Sequence, residues 1–377
     1  MSSLRLHLLA VAGVLFVVII AYTAPYGFNV SSLFHIDRQT ADVIHVPSGF
    51  IVLDVPGYDG MNYFAIAKSV PLFLQSSSWP PLGEISFISY SYQRILLPIL
   101  AFILALGSIP LLPWSFLVIN LCALLLGAYA LLRRDHILAA WALILCPAAM
   151  VSLHFSLAEP LTLCLLTLFL LRVTQQHKVD AISALLLSFA VLSREVNILF
   201  VGTMGLTMLV QRKWNSILWL TIPIVVFALY HGLLFAMFHQ IPFLTSAQKH
   251  ALPFMGLVEV IQTQGLTDLK TLSSLMFLCT IILPLTFILI RDLRQKQFDS
   301  ITIPLTLFLL FLFLMPNYIW GSITSVGRVL TPLYPLGIMA SIRQKDRWAS
   351  FALLGMIATG VMTTIGLAMS VHPFTLS

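Results

Sequence analysis

The stretch Leu6–Ala24, LHLLAVAGVLFVVIIAYTA, is an apolar run that directly follows Arg5. A helix needs about 17–25 apolar residues to cross a bilayer, so this run predicts a transmembrane helix. Pro25 directly after it disfavours cleavage by signal peptidase, and we therefore expect an uncleaved first helix. The whole 377-residue chain is 59% hydrophobic and 9% charged, whereas about a quarter of a soluble domain is charged. The composition predicts an integral membrane protein.

Ten further apolar segments follow the first one. They lie at about 115–132, 137–154, 157–172, 179–193, 196–211, 215–238, 272–290, 300–316, 328–342 and 348–371. The predicted fold is therefore an all-α polytopic membrane protein with about eleven transmembrane helices. Because no stretch is polar enough to form a soluble domain, residues 1–377 are predicted to be one integral membrane domain.

Basic residues occur in alternate gaps between these segments, which predicts the orientation of the chain. One side receives 13 basic and 5 acidic residues, and the other receives 7 basic and 9 acidic residues. Cytoplasmic loops carry an excess of Lys and Arg. The pattern predicts a cytoplasmic N-terminus and a C-terminus on the outer side, which is the periplasmic side in the bacterial inner membrane that the resemblance described below implies. The scattered basic clusters give no indication of nucleic-acid binding.

Two long periplasmic loops are predicted, at residues 25–114 and 239–271. In the first loop we expect interfacial helices. Met61–Ser69 is predicted to form a short amphipathic surface helix, and Glu84–Tyr92 an extended segment. Ile95–Gly107 is predicted to form an interfacial or re-entrant helix, because it is short for a span and contains Pro98. In the second loop, residues 256–263 are predicted to form another interfacial helix.

Charges near the membrane are costly and are usually functional. Outside the cytoplasmic clusters, the charges at helix ends are few, and the predicted topology puts all of them on the periplasmic side: Asp59, Arg94, Glu159, Arg194, Glu195 and Arg328. We expect these six side chains to converge on one outward-facing cavity.

Such a set suits glycosyl transfer from a polyprenyl-phosphate sugar. A carboxylate takes a proton from the acceptor hydroxyl as a general base. Guanidinium groups hold the departing phosphate through bidentate, charge-assisted hydrogen bonds. Asp59 is the candidate base, and Arg94, Arg194 and Arg328 are the candidate phosphate ligands. A single displacement inverts the anomeric carbon.

Several short motifs resemble bacterial GT-C-type integral membrane glycosyltransferases, in the same order along residues 58–335. They are Tyr58-Asp59-Gly60 with Tyr63 and Ile66-Ala67, Tyr90-x-Tyr92-Gln93-Arg94-Ile95-Leu96-x-Pro98, Ala158-Glu159-Pro160, Ser193-Arg194-Glu195 and Gly327-Arg328-Val329-Leu330-x-Pro332. Each motif is weak alone, but the ordered set is moderately specific.

The resemblance implies a polyprenyl-phosphate-linked donor, a glycan, lipid or protein acceptor, and an acidic catalytic base in the first periplasmic loop, at Asp59. Supporting roles fall to Tyr58, Tyr92, Glu159 and Glu195. The chain departs from the commonest family pattern because no adjacent acidic pair stands at the site. A divalent metal is therefore unsupported, and no cofactor is predicted.

Structural roles for the same residues stay open. Asp59-Gly60 is also an ordinary turn sequence. Arg94 can anchor an interfacial helix, and Arg194 and Glu195 can pair with each other. Glu159 before Pro160 fits a helix N-terminus, where a carboxylate offsets the helix dipole.

Two other function classes also stay open. One is a flippase or transporter for polyprenyl-linked sugars, although a transporter typically carries ionisable groups near the bilayer midplane. The other is a non-catalytic subunit of a surface-polysaccharide assembly system. The sequence contains neither a Walker A motif nor GxGxxG, which favours a lipid-linked donor over a nucleotide. His35 and His45 lie near Asp37 and Asp42, but their spacing does not predict a metal site.

Overall fold

The structure is a computed structural model that describes residues 2–76, 88–239, 254–266, 268–370, 372 and 374–376. Within these residues the chain is mostly helical. The helices of the first half are α1 (Ser2–Thr23), α2 (Arg38–Ile44), α3 (Asp59–Ser76), α4 (Ile88–Ser91), α5 (Leu96–Leu104), α6 (Leu112–Leu132), α7 (Ile137–Leu145), α8 (Pro147–Phe155), α9 (Glu159–Gln176) and α10 (Ala181–Ser193).

The helices of the second half continue the bundle. They are α11 (Asn197–Val210), α12 (Trp214–Phe238), α13 (Met255–Gln264), α14 (Leu269–Phe277), α15 (Leu283–Arg294), α16 (Thr302–Phe313), α17 (Asn317–Trp320), α18 (Ile323–Val329), α19 (Leu333–Gln344) and α20 (Arg347–Met369). A π-helical segment, Leu278–Ile282, joins α14 to α15.

Five helical segments of the described chain are long and apolar enough to cross a membrane. They are Leu4–Tyr26, Ile109–Leu132, Trp214–Phe238, Thr271–Arg294 and Arg347–Met369. A sixth is the pair α7 and α8, if this bent pair forms one span. These segments identify a polytopic helical membrane protein.

The predicted count of eleven spans is not confirmed. The other five predicted segments correspond to helices of 12 to 18 residues, namely α9, α10, α11, α16 and α19. At about 1.5 Å per residue, a 12-residue helix extends about 18 Å, well short of a hydrocarbon core of about 30 Å.

The bend of 42° between α7 and α8 has a local cause in the sequence. Pro147 disfavours helical backbone at the residue before it, and Cys146 is accordingly extended, with φ −64° and ψ 152°. At this break the backbone of α20 approaches closely, since a Cβ on Gly360 would lie 1.4 Å from the Leu145 carbonyl oxygen. Glycine is therefore required at position 360 by close approach of two backbones.

The loop after α1 is more helical than predicted. The helix predicted at 61–69 is part of the longer α3. The prediction of an extended segment over Glu84–Tyr92 is wrong in its described part, because Ile88–Ser91 is helical and Tyr92–Arg94 is a 3₁₀ turn. The segment 95–107 forms the nine-residue α5, and the helix predicted at 256–263 is confirmed as α13. Residues 77–87 and 240–253 lie outside the described part.

A small sheet, which the all-α prediction did not include, ties the C-terminal segment to this loop. Its strands are β1 (Ile36–Asp37), β2 (Ile51–Leu53) and β3 (Phe374–Leu376), in the order β1-β2-β3. Ile51 pairs with Leu376 in the antiparallel part. The described C-terminal strand therefore lies on the same side of the helices as the loop after α1, as the predicted topology requires.

Two hydrophobic cores support the site. The larger core fills the helical bundle, and the second lies beneath the loop and includes Phe34, Tyr63, Phe64, Phe116 and Phe155. These five side chains are at most 8% exposed. The first turn of α3 is thus fixed to the end of α8 by packed aromatic rings.

Candidate functional site

Asp59 is the first residue of α3 and faces two arginines from distant parts of the chain. Its Oδ2 atom accepts hydrogen bonds from Arg328 Nη1 at 3.0 Å and from Arg94 Nη1 at 3.4 Å. The Asp59 side chain is 32% exposed, whereas those of Arg328 and Arg94 are 11% and 5% exposed. The Asp59 carboxylate is therefore the most exposed of these three charged groups.

Gly60 explains how the backbone at Asp59 is placed. It is buried in the first turn of α3, and a Cβ at this position would lie 2.1 Å from the Phe155 carbonyl oxygen. The alternative of an ordinary Asp-Gly turn is wrong, because both residues belong to the helix. Glycine here allows close contact with the end of α8.

Arg94 is held by a carboxylate and two phenols. Its Nε and Nη2 atoms donate to Glu195 Oε2 and Oε1 at 2.8 and 2.7 Å, which is a bidentate ion pair. Arg94 Nη2 also donates to the Tyr90 hydroxyl at 2.6 Å, and Nη1 donates to the Tyr63 hydroxyl at 3.3 Å. The Tyr90 hydroxyl in turn donates to Glu195 Oε1 at 2.9 Å. Arg94 thus has a buried, fixed orientation.

Arg194 pairs with Glu159 at the N-terminus of α9. Arg194 Nη1 donates to Glu159 Oε1 at 2.7 Å, to the Arg328 carbonyl at 2.6 Å and to Thr331 Oγ1 at 2.7 Å. Glu159 Oε2 accepts from Ser152 Oγ at 2.9 Å, and Arg328 Nε lies 3.5 Å from Glu159 Oε1. Glu159 therefore has the predicted place at a helix N-terminus and also joins two arginines.

The six charged residues form one chain of alternating sign. It runs in the order Glu195, Arg94, Asp59, Arg328, Glu159, Arg194. We call these six residues the ion-pair network. Three carboxylates balance three guanidinium groups, so the network is formally neutral.

Arg194 and Glu195 do not pair with each other, contrary to one of the open alternatives. Arg194 has extended backbone, with φ −159° and ψ 124°, in the connection between α10 and α11. Successive side chains of an extended segment point to opposite sides. Arg194 accordingly reaches Glu159, and Glu195 reaches Arg94.

Tyr58 supports the network from one side. Its ring stacks on Phe155, with centroids 3.9 Å apart, and the Arg328 guanidinium lies 5.1 Å above the Tyr58 ring centroid. A cation over an aromatic face is attracted by the ring quadrupole. Tyr58 therefore orients Arg328.

Tyr92, which the resemblance gives a supporting role, contacts residues outside the ion-pair network. Its hydroxyl lies 3.2 Å from Ser69 Oγ, and its ring packs against Phe238. The structure places Tyr90 and Tyr63 at the network instead. Both stand in the quoted motifs, and Tyr63 lies four residues after Asp59 on α3, on the same helix face.

Two polar atoms at the open side of the network have no hydrogen-bond partner among the described residues. They are Asp59 Oδ1 and Arg328 Nη2. An acceptor and a donor on adjacent side chains can bind a hydroxyl group and a phosphate oxygen, respectively. Asp59 Oδ1 and Arg328 Nη2 are therefore available to a ligand as far as the described residues are concerned.

The arginines control the ionisation of the neighbouring carboxyl groups. Burial raises the pKa of Asp59, but the charges of Arg328 and Arg94 outweigh this effect and hold the pKa below its ordinary value. Burial also raises the pKa of Glu195. The charge of Arg94 outweighs this effect and lowers the pKa to about 2. Both groups are therefore carboxylates at neutral pH.

A histidine cluster lies behind Phe155. The ring of His35 lies 4.7 Å from that of His154 and 6.2 Å from that of His372, measured between centroids. No group of three or more His, Cys, Asp or Glu side chains in the described part of the chain is arranged to hold a metal ion.

In comparisons with known proteins, no protein-family model, no curated protein and no solved structure matches this chain.

Proposed function

We propose that this chain is a GT-C-type membrane glycosyltransferase that transfers a sugar from a polyprenyl-phosphate donor to a cell-envelope acceptor on the periplasmic side of the bacterial inner membrane. The observation that carries the proposal is the convergence of Asp59 with Arg94, Arg194 and Arg328 in the ion-pair network. These residues come from segments up to 269 residues apart. Convergence at one end of apolar helices is what chemistry on a lipid-borne phosphate requires.

Asp59 is the proposed general base. Its free Oδ1 atom and its 32% exposure allow an acceptor hydroxyl to approach. A carboxylate whose pKa is lowered is a weak base, since proton transfer is most effective when the pKa lies near the working pH. Activation of Asp59 therefore requires a change in its arginine partners.

The donor phosphate supplies that change in our proposal. Arg328 has a free Nη2 donor and an Nη1 donor shared with Asp59. A phosphate that binds Arg328 competes for Nη1 and partly neutralises the guanidinium charge. Because Arg328 lowers the pKa of Asp59, this competition raises that pKa and makes the carboxylate a better base. Donor binding thus activates the base.

The remaining members of the network hold this geometry. Glu195, Tyr63 and Tyr90 fix Arg94, and Glu159 and Thr331 fix Arg194. Rigid support within about 0.5 Å is what preorganised sites require. We propose that Arg328 binds the phosphate directly and that Arg94 and Arg194, each paired with a carboxylate, hold Asp59 and Arg328 in position around it.

Mass spectrometry of lipid-linked sugars tests the function. In a strain that lacks the endogenous gene, the wild-type protein restores the surface glycan, whereas Asp59→Asn leaves the polyprenyl-phosphate sugar accumulated on the periplasmic leaflet. Asp54→Asn is the matched control, because Asp54 lies in the same loop and pairs only with Arg38 among the described residues. Accumulation on the cytoplasmic leaflet would favour a flippase, and an unchanged glycan would remove the catalytic role.

The orientation is part of the same proposal and has its own test. Gln39 is exposed in the loop after α1, and Lys296 is exposed at the opposite end of the helices. In a background without the four native cysteines, Gln39→Cys reacts with an impermeant thiol reagent in intact cells, and Lys296→Cys reacts only after permeabilisation. The reverse labelling contradicts the periplasmic location of the site.

A further inference from the structure

A second polar cavity lies at the opposite end of the helices from the ion-pair network. It has a volume of about 330 Å³ and is lined by the turns that follow α6, α9, α11 and α15 and by the end of α19. Helix α9 connects the two places, since it begins at Glu159 in the network and ends beside the cavity. The cavity is therefore distinct from the candidate glycosyl-transfer site.

Two cations of the cavity have no carboxylate partner in the described part of the chain. Arg134 donates to Gln175 Oε1 at 2.9 Å, and Lys213 Nζ donates to the His177 carbonyl at 2.6 Å. Arg343 also lines the cavity, but it is paired with Asp292 and Asp299. Arg134 and Lys213 are therefore the two cations of the lining that can bind an anion, whereas Asp299, which also lines the cavity, is held by Arg343.

His136 lies beside these cations. It lines the cavity directly before α7, and its pKa is lowered by burial and by the charges of Lys345 and Arg134, against the opposite effect of Asp135. Arg134 is therefore close enough to His136 to act on its charge.

The wall of the cavity is partly apolar, which limits the kind of anion that fits. Leu171, Met208 and Ile342 lie beside the basic groups. At about 30 Å³ per molecule, the volume corresponds to on the order of ten waters, much more than one inorganic phosphate ion fills. A phosphate ester with attached carbon atoms matches both the charge and the apolar wall.

We propose that this cavity binds a phosphate ester, with the phosphate between Arg134 and Lys213 and the carbon atoms against Leu171, Met208 and Ile342. Basic pockets between transmembrane helices bind anionic lipid head groups. A soluble phosphate ester offers the same chemistry. The site is independent of the sugar-transfer chemistry proposed above.

Native mass spectrometry with two probes tests the site. The full chain is placed in phosphatidylcholine nanodiscs with and without phosphatidylglycerol, and in a second series sn-glycerol 3-phosphate is added instead. The variant Arg134→Gln/Lys213→Gln removes both free cations. The control Arg133→Gln/Arg212→Gln removes two exposed cations from the same turns that do not line the cavity.

We expect one phosphatidylglycerol to be retained by the wild type and by the control, and its affinity to fall about 30-fold in the Arg134→Gln/Lys213→Gln variant. Charge-conserving Arg134→Lys/Lys213→Arg retains the lipid, which separates loss of charge from loss of folding. Retention of sn-glycerol 3-phosphate with the same variant pattern assigns the site to a soluble ester. Equal binding by both double glutamine variants, or binding of neither probe to the wild type, overturns the proposal.

Discussion

Asp59 Oδ2 and Arg328 Nη1 lie 3.0 Å apart, although 269 residues separate the two side chains in the sequence. The carboxylate belongs to the first turn of α3, and the guanidinium belongs to the last turn of α18. Arg328 also approaches Glu159, so the pair connects the loop after α1 to the N-terminus of α9. The folded helices hold this ion pair together, and Asp59 Oδ1 and Arg328 Nη2 have no hydrogen-bond partner in the described part of the chain.

Loss of the buried Arg94–Glu195 pair should destabilise the protein strongly. Glu195→Gln replaces the bidentate ion pair of buried Arg94 and leaves it with the longer 3.4 Å pair to Asp59, and we expect a loss of about 3–5 kcal/mol in the free energy of unfolding. Asp54→Asn breaks an exposed pair with Arg38, whose side chain is 63% exposed, and should cost less than about 1 kcal/mol. Thermal and denaturant unfolding in detergent measure both. Equal losses for the two variants would contradict the buried network.

Acid titration of the same pair gives a pH prediction. The folded pKa of Glu195 is lowered from the ordinary 4.5 to about 2, so its ionisation stabilises the folded state above pH 4.5. This stabilisation is lost as the pH falls from 4.5 towards 2. We expect the difference in unfolding midpoint between wild type and Glu195→Gln to be constant above pH 4.5 and to shrink below it. A difference that grows on acidification would show that Glu195 is not paired in the folded state.

Tyr90 and Tyr92 should respond differently to loss of the hydroxyl. Tyr90→Phe removes a hydrogen bond to Arg94 and one to Glu195, and bonds to charged groups contribute about 1.5–3 kcal/mol each. We expect lower stability and sugar transfer reduced at least tenfold. Tyr92→Phe removes the contact with Ser69, a neutral one of about 1 kcal/mol, and should reduce transfer less than Tyr90→Phe does. Glycan output and unfolding of both variants are the measurements, and a larger loss of transfer for Tyr92→Phe would reverse the assignment.

The different contacts of Tyr90 and Tyr92 could not be predicted from the sequence. The sequence predicts an extended segment over Glu84–Tyr92, in which residues two apart, such as Tyr90 and Tyr92, share a face. The segment is helical, and at about 100° per residue two positions differ by roughly 200°. Tyr92 consequently points away from Arg94. Short apolar and aromatic runs do not distinguish strand from helix by periodicity.

The convergence of the charged residues could be predicted, whereas their pairing could not. Alternation of basic clusters fixes which helix ends share a side, and this rule brings Asp59, Arg194 and Arg328 to one rim. Pairing depends on single backbone angles, such as the extended φ of Arg194 that separates it from Glu195. The number of membrane spans could not be predicted either, because apolar composition does not reveal helix length or a break such as the one at Pro147.

Gly60→Ala should disturb the position of Asp59. The new Cβ would lie 2.1 Å from the Phe155 carbonyl oxygen, so the first turn of α3 must move away from α8. We expect a loss of about 1–3 kcal/mol in stability and a larger relative loss of transfer. Gly202→Ala is the matched control, because nothing lies within 4 Å of its Cβ and alanine favours a helix interior. Unfolding and glycan output should both be unimpaired in the control. A neutral Gly60→Ala would exclude the close packing of α3 on α8.

The most direct test of the central claim separates donor binding from turnover in one purified protein. The polyprenyl-phosphate sugar that accumulates in the deletion strain serves as donor, and its binding and transfer are measured for wild type, Asp59→Asn and Arg328→Gln. We predict that Asp59→Asn binds the donor at least as tightly as wild type, because Arg328 is released, and transfers it about 10²–10⁴-fold more slowly. Arg328→Gln should lose donor affinity. Turnover by Asp59→Asn at the wild-type rate, or donor binding unaffected in Arg328→Gln, would contradict the account.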